Sequence, residues 1–139
     1  MSFKNGLYIL WSFSLAAVVG SLFFSEILKV PPCDLCWFQR IFMYPLAIII
    51  PLAILKNDRF ILNYILALLI PGSVVALYHN LLFYKILEEP LIPCHSEVPC
   101  NSRAFQYFGF LGIPLMSLAA FVAMMGVTLY LMKKEKKTT

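Results

Sequence analysis

Apolar runs of about twenty residues alternate along this chain with short polar stretches. The runs cover residues about 8–28, 37–55, 60–84 and 113–132. A hydrocarbon layer about 30 Å thick is crossed by roughly 20 apolar residues in a helix, so each run predicts one membrane span. Pro45, Pro51 and Pro71-Gly72 fall inside the runs. Proline is tolerated there when neighbouring helices satisfy the backbone groups it frees, so it predicts kinks rather than breaks. "KNDR", residues 56–59, reads as a tight polar turn, and the remaining connections are loops at 29–36 and 85–112. Within the second loop, "AFQYFGFLGIP" suits a short interfacial segment leading to Pro114 in the first turn of the last helix.

The first run is too long for the apolar core of a cleaved leader and no small-x-small site follows it, so it is read as a span. Glu26 at its end can snorkel to water or pair with Lys29. The chain is 61% hydrophobic and 13% charged over 139 residues, too apolar for a soluble domain. The expected fold is therefore an all-α membrane protein, a four-helix bundle forming a single domain over residues 1–139.

Charge adds orientation. Of the eleven Lys and Arg residues, seven (Lys4, Lys56, Arg59, Lys133, Lys134, Lys136, Lys137) belong to the two termini and the "KNDR" turn, which share one side if there are four spans. The positive-inside rule puts that side in the cytoplasm of a plasma-membrane protein. The terminal lysines then read as a membrane anchor, and the net charge of +4 implies no nucleic-acid partner. All four cysteines fall on the opposite, extracytoplasmic side.

Cys33 and Cys36 form a C-x-x-C pair in "PPCDLCWFQR", and Cys94 and Cys100 lie in the second loop. Three chemistries suit them. Structural disulfides persist outside the cell, but a C-x-x-C bridge closes too short a loop to constrain the unfolded chain much. A zinc site of four cysteines is disfavoured because the second spacing exceeds the usual one and the surroundings are apolar. Cycling between dithiol and disulfide suits the spacing best. Pro31-Pro32 cannot lie inside a helix and Asp34 is a reasonable N-cap, so Cys36 is expected in the first turn of the second helix. The positive end of the helix dipole there favours a thiolate.

Arg40 follows Cys36 by one turn, about 6 Å deeper. A lone interfacial arginine usually snorkels, but beside a thiolate it could also stabilise a reduced, anionic acceptor. His79 lies at a similar depth in the third span, with Tyr78 next to it. These residues outline a polar pocket near Cys36 suited to a lipid-soluble electron acceptor such as a quinone.

"PPCDLCWFQRIFMYP" (31–45), "LYHNLL" (77–82) and "PC", five residues, "C" (93–100), with "FGFLGIP" downstream, resemble motifs of the disulfide bond formation protein B family, especially its shorter Gram-positive members. The resemblance spans essentially the whole chain. It implies a quinone-dependent thiol oxidoreductase that reoxidises a soluble thioredoxin-fold thiol oxidase (DsbA- or BdbD-like) and passes two electrons to menaquinone or ubiquinone. By position, Cys94 resembles the cysteine that meets that partner and Cys100 its mate. Cys33 and Cys36 resemble the pair nearest the quinone, with Cys36 in contact with it. Arg40 and His79 resemble quinone-site residues. The short Cys94–Cys100 spacing implies that any membrane-lying helix of longer members is absent or reduced to residues 103–108. A quinone reductase of the vitamin K epoxide reductase type would carry its C-x-x-C near the end of a later helix, whereas here it opens the second.

Overall fold

A computed structural model describes residues 2–29, 31–87, 106–107 and 111–138. Helix α1 spans Phe3–Leu22 and continues into a wider π turn, Phe23–Ile27; α2 spans Asp34–Lys56, α3 Ile61–Phe83 and α4 Ile113–Thr138. All four are long and apolar enough to cross a membrane, as the expected four-helix membrane fold requires. Two short strands, β1 (Gln106–Tyr107) and β2 (Leu111–Gly112), pair antiparallel just before α4, with Gln106 opposite Gly112. Residues 106 and 107 are thus extended, and no membrane-lying helix includes them.

Each helix packs on its neighbour in sequence and α4 closes back on α1. Leu7, Leu10, Leu46, Ile50, Ile65, Leu69, Phe121 and Met124 fill the centre. The outward faces are equally apolar, with Ile48, Leu52, Val74 and Val122 exposed. Helices that are apolar all round belong in lipid or in a deep core, and these are too exposed for the latter. Gly72 lets α4 come close: an added β-carbon would run into the Phe121 ring.

The prolines are accommodated by local means. Pro51 has no N–H for the Ala47 carbonyl one turn earlier, and the Trp11 indole of α1 donates to that carbonyl instead, at 3.2 Å. Asn57 ends α2 with a left-handed φ of 54°, a conformation asparagine tolerates. The Asp58 carboxylate then accepts the Phe60 N–H at 2.9 Å. Arg59 pairs with Glu135 of α4 at 2.7 Å, so the α2–α3 turn and the far end of α4 lie together. The cysteine pair is at the other end.

Two local expectations are corrected there. Cys33, not Asp34, caps α2: its backbone is extended (φ −72°, ψ 168°) and its carbonyl accepts the Trp37 N–H at 3.2 Å. Asp34 is the first helical residue, where its negative charge still complements the exposed amides. Of the two options for Glu26, the ion pair with Lys29 is not formed among the described residues; Glu26 lies in the π turn and Lys29, beyond it, has a φ of 50°.

Candidate functional site

The start of α2 sets the cysteine pair. Cys33 is the cap and Cys36 sits in the first turn, as expected, so both sulfurs stand over the amide end of the helix, 3.0 Å apart. Cys33 is buried and faces α3, where His79 Nε2 lies 3.7 Å from its sulfur. The other imidazole nitrogen, Nδ1, lies 3.1 Å from the side-chain amide nitrogen of Gln39, which is further along α2. His79 and Gln39 are themselves buried.

Cys36, beside Cys33, borders open space. It lines a cavity of about 330 Å³ walled by α1, α2 and the first turns of α4. Phe13, Phe24, Met43, Met116 and Phe121 make most of that wall apolar, and Arg40 is its one charged residue among those described. Arg40 Nη2 donates to the Ser21 carbonyl at 3.1 Å and to the Ser25 hydroxyl, both on α1. The guanidinium also lies over the Trp37 ring, 5.4 Å from its centroid. Its Nε and Nη1 make no hydrogen bond among the described residues. Ser25 belongs to the π turn, a distortion common at functional sites.

One turn beyond Arg40, Tyr44 also lines the cavity, its hydroxyl buried and with no hydrogen-bond partner among the described residues. The cavity is of the size that takes small organic ligands. Arg40 N–H groups in a mostly apolar wall, whose other polar members include Ser21, Ser25, Gln39 and Ser117, suit a flat apolar ring bearing oxygen acceptors. His79, expected at the same pocket, does not line it. Tyr44 and Gln39 were not singled out in the sequence; the available signal is that positions 36, 40 and 44 share a helix face.

The electrostatics favour a thiolate. The Cys33 thiol is drawn from 9.0 to about 4, chiefly by its hydrogen bond with Cys36 and further by His79, against the opposing effect of burial. Two thiols this close titrate as a pair. Cys33, Cys36 and His79 also offer three soft donor atoms within 4.8 Å of one another. Thiolates on one tetrahedral zinc stand about 3.8 Å apart, given Zn–S bonds of about 2.3 Å. Sulfurs at 3.0 Å suit dithiol–disulfide exchange better. Cys94 and Cys100 lie outside the described residues.

Comparison with known proteins points the same way. The profile of the family described as disulfide bond formation protein DsbB matches residues 4–131. The chain is 40% identical over 130 residues to disulfide bond formation protein C of Bacillus subtilis (strain 168), covering 94% of each chain. It is 38% identical over 119 residues to probable disulfide formation protein C 1 of Bacillus cereus, covering 86% of each. The SPbeta prophage-derived disulfide bond formation protein B of Bacillus subtilis is 36% identical over 137 residues, 96% of this chain and 90% of that one. No solved structure matches the chain significantly.

Proposed function

The chain belongs to the disulfide bond formation protein DsbB family, and from that premise we propose that it is a quinone-dependent thiol–disulfide oxidoreductase. In this reading it reoxidises a soluble, extracytoplasmic thioredoxin-fold thiol oxidase of the DsbA or BdbD kind, and so supports disulfide formation in secreted proteins. The observation that carries it is that Cys36 and Arg40 share the wall of an apolar cavity that opens among membrane-spanning helices.

The bias of basic residues supports an orientation with both termini cytoplasmic and the cysteines outside. A thiolate of the reduced partner attacks Cys94 of a Cys94–Cys100 disulfide, giving a Cys94–partner disulfide and a Cys100 thiolate. That thiolate attacks Cys33 of the Cys33–Cys36 disulfide, joining the loops through Cys33–Cys100 and releasing Cys36 as a thiolate. A quinone in the cavity supplies the final acceptor of two electrons. Arg40 holds a fixed positive charge beside Cys36, its Nη2 anchored to α1, and its other N–H groups would be available to the ligand's oxygens. The apolar lining keeps water from the released thiolate.

Purified protein, a reduced thioredoxin-fold oxidase and a soluble quinone analogue should together give stoichiometric quinone reduction and partner oxidation. A structural or metal-handling protein with passive cysteines would give neither, and that result would end the proposal.

A further inference from the structure

The cavity leaves His79 without a task. It is 3% exposed, stands off the cavity wall, and spends its two ring nitrogens on Cys33 and Gln39. A neutral imidazole carries one N–H, and its neighbours decide on which nitrogen. Gln39, itself 7% exposed, presents its amide N–H₂ to Nδ1, which must then accept. The proton is left on Nε2, the nitrogen that points at the Cys33 sulfur.

We infer that His79 is a catalytic residue for Cys33, its Nε2–H hydrogen-bonding that sulfur as a thiolate, and that Gln39 is the positioning residue that keeps the proton there. The inference rests on the exchange sequence proposed above and gives one of its steps a direction. The partner's second thiolate first attacks the partner sulfur of the Cys94–partner disulfide, which releases the oxidised partner and frees Cys94 as a thiolate. When that thiolate attacks Cys100 of the Cys33–Cys100 disulfide, the Cys94–Cys100 bond forms and the Cys100–Cys33 bond breaks. The electron pair of the broken bond leaves on the Cys33 sulfur, and no proton has to be transferred. A better-stabilised thiolate is the better leaving group. His79 therefore biases cleavage toward release of Cys33 into its own pair, where it recloses on Cys36 as the proposed quinone takes up the two electrons.

The two sulfurs of one C-x-x-C motif are thereby given different surroundings. Cys36 and Arg40 look into the cavity, while Cys33 looks toward α3. Among the described residues, the ionisable side chains around Cys33 are Cys36 and Asp34 from its own helix end and Tyr78 and His79 from α3. Of these, His79 is the one from a separate element whose ring nitrogen lies 3.7 Å from the Cys33 sulfur. The lowered Cys33 value is consistent with that donor.

The test uses the reduced Cys94→Ser/Cys100→Ser protein in detergent, with iodoacetamide alkylation followed against pH and Cys33 located by peptide mass spectrometry. His79→Leu should raise the alkylation midpoint of Cys33 by about one to two pH units. Gln39→Leu, which keeps the volume and leaves His79 in place, should raise it by less, and it stands in if His79→Leu fails to fold. His79→Gln retains an N–H donor and should recover part of the shift. In the four-cysteine protein, His79→Leu should slow partner oxidation while leaving the quinone KM unchanged. An unshifted midpoint in both leucine variants would overturn the inference, as would an unshifted midpoint in His79→Leu with a raised quinone KM, which would put His79 at the acceptor. The alkylation midpoints need no quinone, so failure of the parent protein to reduce quinone counts against the proposed function alone.

Discussion

Replacing Arg40 with Gln should separate the two things that side chain does. One is structural. Its Nη2 ties α2 to the Ser21 carbonyl and Ser25 hydroxyl of α1. That link is partly redundant, because Ser25 also donates to the Ser21 carbonyl at 3.1 Å and neither acceptor is stranded when Arg40 is lost. The stability cost should therefore stay near about 1 kcal/mol, the net worth of an ordinary hydrogen bond. The other role is toward the ligand, through the N–H groups that make no hydrogen bond among the described residues. A charge-assisted hydrogen bond to a reduced, anionic ring oxygen in a desolvated cavity is worth about 1.5–3 kcal/mol. At about 1.4 kcal/mol per factor of ten, the apparent quinone KM should rise roughly tenfold to a hundredfold. Arg40→Lys should recover only part of this, because it keeps the charge but loses the planar fork. The assay is steady-state quinone reduction with varied quinone, beside a single-turnover measurement of partner oxidation by the Cys94–Cys100 pair, which should be unaffected. Ser25→Ala removes one anchor and keeps the cation, so its KM should move far less. An Arg40→Gln protein with unaltered quinone dependence would refute the reasoning and return Arg40 to an anchoring role.

The other expectations are more direct. A membrane-impermeant thiol reagent applied to intact cells after reduction should label Cys94 and Cys100 strongly and Cys33 slowly, given its burial; labelling only after permeabilisation would invert the orientation. Cys100→Ser should accumulate a Cys94–partner mixed disulfide, visible on a non-reducing gel, because the thiol that would release it is missing; a species trapped through Cys33 would reverse the two pairs. Trp11→Phe strands the Ala47 carbonyl and should lower stability by about 1–2 kcal/mol in detergent unfolding. In Pro51→Ala, where the helix can satisfy that carbonyl itself, the same change should cost measurably less; equal costs in both backgrounds would discard the explanation.

How far the sequence reaches can be seen at particular residues. The spans and the placement of Cys36 in the first turn of α2 follow from contiguous signals: runs long enough for a bilayer, two prolines that forbid helix, a polar turn. Each is local, and the bilayer demands it whatever the rest of the chain does. The pairing of Arg40 with Ser21 and Ser25, of Trp11 with the Ala47 carbonyl, and of His79 with Cys33 rather than with the cavity joins residues far apart in the chain. A soluble helix declares its inner face by an apolar stripe. These helices are apolar all round, with Ile48 and Leu52 exposed on the same helix that buries Leu46 and Ile50. Their rotation about their own axes is therefore left open by the pattern of residue types. It was decided by packing, through the fit of Gly72 against Phe121 and the few polar groups that had to find partners inside the bundle. That rotation turned Cys36 toward the cavity and Cys33 toward His79.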